Sequence, residues 1–173
     1  MTETISSATE MVYPEYFKPY INLVKEKDLT EAFANQQTLV DNYFDTIDEE
    51  KSCFAYAPGK WTLKELLQHM IDAERIFCYR ALAFARKETV SLPGFDEDTY
   101  AANSAANNRS WKSLCEEYKA VRKAMVLLFD NLSNDMLYST GVASNKPVSV
   151  IAIGFITIGH LYHHKNIIEE RYL

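Results

Sequence analysis

"APGKWTLKELLQHMIDAERIFCYRALAFAR", residues 57–86, contains a helix start that can be read one residue at a time. Ala57 to Lys60 form a turn. Thr62 can then cap a helix, Glu65 three residues later completes a capping box, and Trp61 can staple onto Leu66. Beyond the cap, apolar positions recur at helical spacing and predict an inward seam of Leu66, His69, Ala73, Ile76 and Phe77. The helix runs to about Lys87, where "ETVSLPGFDED" takes over as a loop. A histidine therefore stands in a seam that is otherwise apolar.

The same periodicity extends outward in both directions. Upstream, Leu29, Phe33, Val40, Phe44 and Ile47 form one helical stripe, preceded by a short amphipathic piece around "PEYFKPYINLVK". Downstream, Ser110 can cap a helix whose seam is Leu114, Tyr118, Val121, Met125, Leu128 and Leu132, with the alternating spacing of bundle packing. The last segment, Ser149 to Tyr172, opens with Val, Ile, Phe and Thr and would also suit a buried strand. Its length and the charged "EERY" finish decide for helix. Glycine and proline, five of each, fall mostly between these segments. The expectation is an all-α bundle in one domain, residues 1–173, with short extra N-terminal and loop helices.

Bulk composition excludes several partners. Eighteen basic against 24 acidic side chains give a net charge of −6, and no Lys/Arg run offers a nucleic-acid backbone a patch. Cys53, Cys78 and Cys115 are odd in number and unpaired in spacing, so they read as buried thiols in a reducing compartment. The N-terminus lacks the pattern of a secretory signal, which makes the cytoplasm the expected location. "VSVIAIGFITIG", residues 148–159, is too short to cross a membrane and belongs to a core.

The chain has four histidines, and three lie in "GHLYHHKNIIEERY", residues 159–172. On a helix His160 and His164 share a face with Ile153, Thr157, Ile167 and Arg171, and their imidazoles can reach one point. His69 offers a third nitrogen from another helix. Three neutral imidazoles would leave room for water or substrate on a divalent ion, yet spacing alone does not separate this from a hydrogen-bonded histidine cluster in a core. Leu161 stands where a zinc-protease HExxH motif needs glutamate. No pair of ExxH motifs suggests a di-iron site.

These motifs resemble the DinB/YfiT-like family of helical bundles. The likeness rests on residues 57–86, on "LPGFDEDTY" in the following loop and on residues 159–172. The resemblance implies a four-helix bundle in up-down-down-up order, a metal held by His69, His160 and His164, and in many members a homodimer. It further implies chemistry on small molecules: a thiol-dependent S-transferase or a related hydrolase using zinc or nickel, with a low-molecular-weight thiol such as bacillithiol, mycothiol or glutathione. The alternative is a nonenzymatic bundle whose metal or histidine cluster only ties helices together.

Other polar residues are weaker candidates. Asp72, one turn after His69, could orient its ring, although a surface or helix-pairing role would serve at least as well, and His163 could shuttle protons, although an interhelical hydrogen bond explains it better. Glu65 is better explained by the capping box and Asp96 by a helix cap. Arg75, Arg80 and Arg171 could bind a carboxylate on substrate or cofactor, or could pair with Glu74, Glu169 or Glu170. The cysteines have no neighbouring group that would activate them.

Overall fold

The computed structural model describes residues 11–173. Residues 1–10, on which the reading of the N-terminus as lacking a secretory signal rests, lie outside the described residues. A 3₁₀ turn and the short helix α1 (Lys18–Ile21) lead into α2 (Leu29–Asn42), and α3 (Glu49–Ser52) precedes α4 (Leu63–Ala85). The short α5 (Glu97–Asn103) is followed by α6 (Trp111–Phe129), α7 (Asn134–Leu137), a hairpin of β1 (Thr140–Ala143) and β2 (Lys146–Ser149), and α8 (Val150–Arg171). Asp28, Thr62, Ser110 and Ser149 cap the four long helices through their side chains. Each cap satisfies a backbone donor that the helix itself leaves free.

Contacts between helices fix their directions. Gln68 meets Arg109, Arg75 meets Glu117 and Glu74 meets Arg122, so α4 and α6 run parallel. Trp61 meets Tyr172 and His69 meets His160, so α4 and α8 run antiparallel. Phe44 packs on Tyr118 and Phe33 on Phe129, so α2 opposes α6. Gln36 bonds Ile158, and Gly154 faces Leu29, which makes α2 parallel to α8. In chain order the long helices therefore run up, down, down, up, as the resemblance implied. Two parallel helices in sequence need a crossover the length of the bundle, and residues 86–110 supply it, with α5 at its middle.

The hairpin was not expected. Its turn places Ser144 and Asn145 in the left-handed region, at φ 52° and 61°, where asparagine is among the few non-glycine residues that are often found. The crossover is stitched to it: Leu92 N donates to Val142 O, and Ser144 N donates to Leu92 O. The strand-like opening of the final segment is thus divided, with Val148 and Ser149 in β2 and the rest in helix. From Val150 to Leu161 every residue of α8 is buried, which is why its face could not be read from a polar side.

The core falls into two apolar clusters, one built on Leu29, Phe77, Met125 and Ile153, the other on Val40, Leu67, Leu114 and Ile168. At or beside the changeover on each long helix sits a buried polar residue: Gln36, Glu74, Arg122 and His160. Arg122 donates to both oxygens of Glu74, to Gln36 Oε1 and to Tyr118 Oη, while Gln36 Nε2 donates to Ile158 O. This layer corrects the predicted seam of α6. Arg122, Met125 and Phe129 are buried there, Leu132 lies past the end of the helix, and Val121 and Leu128 are only partly buried, because a straight helix drifts from a strict seven-residue repeat. Ile76 is half-buried for the same reason. Cys115 is buried, but Cys78 is intermediate and Cys53 exposed, so the reading of three buried thiols holds for one.

At Gly159 the backbone of α1 lies directly against α8. A Cβ there would stand 2.0 Å from Tyr20 O. Alanine would gain about 1 kcal/mol of helix propensity, but overpacking against a backbone atom costs up to about 3 kcal/mol. Gly159→Ala is therefore expected to lower unfolding stability by about 2 kcal/mol, read from the urea midpoint at unchanged slope.

Candidate metal centre

Three buried side chains from two antiparallel helices converge. His69 comes from the second turn of α4, where the Thr62–Glu65 capping box fixes the helix start. His160 and His164 come one turn apart from α8. His69 Nε2 lies 3.2 Å from His160 Nε2, and His164 Nε2 lies 2.9 Å from the same atom. One ring nitrogen from each residue falls within 4.8 Å of the other two.

Burial pushes all three imidazoles toward the neutral form. His69 is lowered to about 4, chiefly by desolvation and then by His163. His160 and His164 are held well below the ordinary histidine value by burial first and by neighbouring histidines second. Trp61 covers His69 at a ring separation of 5.0 Å, while Tyr20 and Phe77 flank His160. Neutral imidazoles shielded by aromatic rings are the protonation state that a metal ligand requires.

A sequence profile of the DinB superfamily matches residues 32–168. The chain belongs to the DinB superfamily. No curated protein matches it. Among solved structures, it is similar to YfiT from Bacillus subtilis, described as a probable metal-dependent hydrolase with an unusual four-helix bundle topology. The likeness covers 92% of this chain and 87% of that one at 14% identity, with a TM-score of 0.68, and shows a shared fold.

A cation suits the DinB histidines better than hydrogen bonds among themselves. Each Nε2 carries either one hydrogen or one lone pair, so His160 Nε2 cannot satisfy both of its close neighbours by hydrogen bonding. A single cation accepts all three lone pairs. Two nitrogens each about 2.0–2.1 Å from a tetrahedral ion stand about 3.3 Å apart, close to the spacings found here. Metal-facing Nε2 atoms would leave the hydrogen on Nδ1; for His164 that atom is buried without a protein partner, so the fit rests on the three Nε2 atoms. The residues fit the group.

The remaining candidates separate cleanly in space. Asp72 accepts from Gln68 Nε2 on its own helix, and its charged neighbours are Arg75, Arg109 and Glu117; burial raises its pKa. His163 lies outside the three-nitrogen cluster, its ring 4.9 Å from that of Tyr20 and 5.0 Å from that of His164. Glu65 completes the capping box and accepts from Asn107, and Asp96 caps α5. Arg75 pairs with Glu117 rather than Glu74, and Arg171 reaches Tyr56 Oη. Arg80 has no carboxylate partner among the described residues.

The crossover frames the site. A cavity of about 180 Å³ has His160, Arg80, Tyr20, Phe77 and Glu97 in its walls. A second, of about 330 Å³, reaches His164, with Trp61, Tyr172 and Asp98 around it. Consecutive residues of α5 thus contribute one carboxylate to each. Glu97 is a rim residue whose pKa is raised by partial shielding of its carboxyl, then by Asp98 and Asp96. Nothing in the sequence pointed to Tyr20, which comes from the short α1 rather than from one of the four long helices.

His163→Ala is expected to leave any metal binding at the cluster unchanged, since His163 is not among the three clustered nitrogens. Metal content after dialysis checks this. Loss as complete as in His164→Ala would mean that the neighbouring histidine is the ligand.

Proposed function

We propose that His69, His160 and His164 hold one divalent cation, zinc or nickel, and that the chain is a single-domain metal-dependent enzyme acting on a small molecule. Hydrolysis and thiol-dependent S-transfer are the two reactions it would carry. The observation that supports this is the convergence of three buried, neutral Nε2 atoms whose hydrogen-bonding capacity cannot be met among themselves. A bound ion with an open position supplies either activated water or a thiol held as thiolate. The cytoplasm, a homodimer and a low-molecular-weight thiol belong to the same proposal.

The chain's own residues provide the rest. Tyr20, Phe77 and Trp61 keep bulk water from the imidazoles, which strengthens polar interactions inside the site. Glu97, with its raised pKa, can take or return a proton at the cavity rim. Its neighbour Asp98 lines the second cavity, which gives the histidines a second opening.

Elemental analysis of untagged protein should find one divalent ion per chain. Cobalt-substituted protein should then change its visible spectrum when azide or a small thiol is added, as the exogenous ligand enters the open position. A spectrum unmoved by either would favour a closed, structural site. Parallel assays of thiol conjugation and of ester or amide hydrolysis distinguish the two reactions.

A further inference from the structure

Arg80 lies on α4 three turns beyond His69, and the residue is 7% exposed. Its Nη2 donates to Pro93 O at 2.9 Å and to Ser144 Oγ at 3.3 Å. Both acceptors sit on the stitched pair of crossover and hairpin, and Ser144 adopts the left-handed conformation that the tight turn demands. The guanidinium is therefore fixed in place before any ligand arrives. Its Nε and Nη1 reach no acceptor among the described residues, yet neither is sealed from solvent. No carboxylate lies within ion-pair distance among the described residues, and burial lowers its pKa from the ordinary arginine value. Water reaches the free Nε and Nη1, and an anion that replaces it there would gain a charge-assisted hydrogen bond in a largely shielded site.

The opening that Arg80 shares with His160 is walled by aromatic rings, among them Phe17, Tyr20, Phe77 and Phe95. A dry cavity of about 150 Å³ accepts benzene, so about 180 Å³ suits one ring or a short branched chain. Glu97 on the same wall opposes a multiply charged anion. One guanidinium, itself already donating twice, matches a single negative charge.

We propose that Arg80 is the substrate's anchor: it binds the carboxylate of a small acid whose apolar body lies against the aromatic wall, with its reactive end toward His160. This deepens the proposed function and rests on it for the reaction, but the anchoring itself is readable without metal.

The test uses phenylacetate and its neutral isostere phenylacetamide, titrated calorimetrically into metal-stripped and zinc-loaded full-length protein. Wild type should prefer the acid by about tenfold or more in both forms. Arg80→Gln should bring the preference to near unity while binding zinc normally, and Arg80→Lys should keep part of it. A preference that survives Arg80→Gln overturns the proposal. So does one that disappears when metal is stripped, since the carboxylate would then have been on the ion. Should Arg80→Gln fail to fold, amide chemical shifts in wild type decide: phenylacetate should perturb Ala73 and Ser144, and perturbation confined elsewhere overturns the assignment. Failure to bind zinc would sink the metal reading alone, because the acid–amide comparison in stripped protein stands apart from it.

Discussion

His160→Ala is expected to lower affinity for zinc or nickel by more than about a hundredfold, beyond what loss of an outer-shell partner costs. His160 Nε2 is the atom that both other rings approach, at 3.2 and 2.9 Å. Without it, His69 and His164 remain as two ligands from different helices. Competition with a chelator measures the loss. Thermal unfolding supplies an independent reading: zinc should raise the midpoint of the wild type and leave the variant unmoved, because only a native-state ligand stabilises by mass action. If zinc shifts both equally, the ion binds elsewhere. If it shifts neither, the cluster is a hydrogen-bonded core and no metal centre.

Glu74→Ala is expected to destabilise the fold by about 3–5 kcal/mol, measured by urea unfolding. Glu74 and Arg122 are both almost wholly buried, and removing the acid leaves a cation in the core with only Gln36 and Tyr118 to solvate it. The double change Glu74→Leu with Arg122→Met should recover most of the loss, since well-packed apolar residues often replace a buried ion pair at little cost. Recovery should stop short of complete, because Gln36 Oε1 loses its donor. A single variant as stable as wild type would mean that the pair is solvated.

What could be read from the sequence follows the range of the interactions involved. The capping box at Thr62 and Glu65 spans four residues, and helical spacing places His160 and His164 together, so both were legible. His69 was legible as a histidine in an apolar seam, and the resemblance added a metal for the three rings and the order of the helices. Arg122 was not legible, since nothing local distinguishes a buried arginine from a solvated one. Its partner lies 48 residues away. The hairpin escaped because Val148 and Ser149 merge without a break into the apolar start of α8, and its turn uses Ser144 and Asn145 without a glycine. Arg75, Arg80 and Arg171 looked equivalent as candidates. Only the crossover, bonded to the hairpin at Leu92, sets Arg80 apart by giving it two neutral acceptors and no acid.

The buried polar layer also restricts which other packings this chain can adopt. Apolar helices tolerate sliding, because one leucine contact resembles the next. Moving α6 past α4 by a single turn, about 5.4 Å, would carry Arg122 away from Glu74 and strand each charge among hydrocarbon side chains. Gln36 extends the same demand to α2 and, through Ile158 O, to α8 at two residues before His160. One height along the bundle is thus enforced on all four long helices at once. The relative level of His69 and His160, which sit on different helices, is set by an ion pair that touches neither.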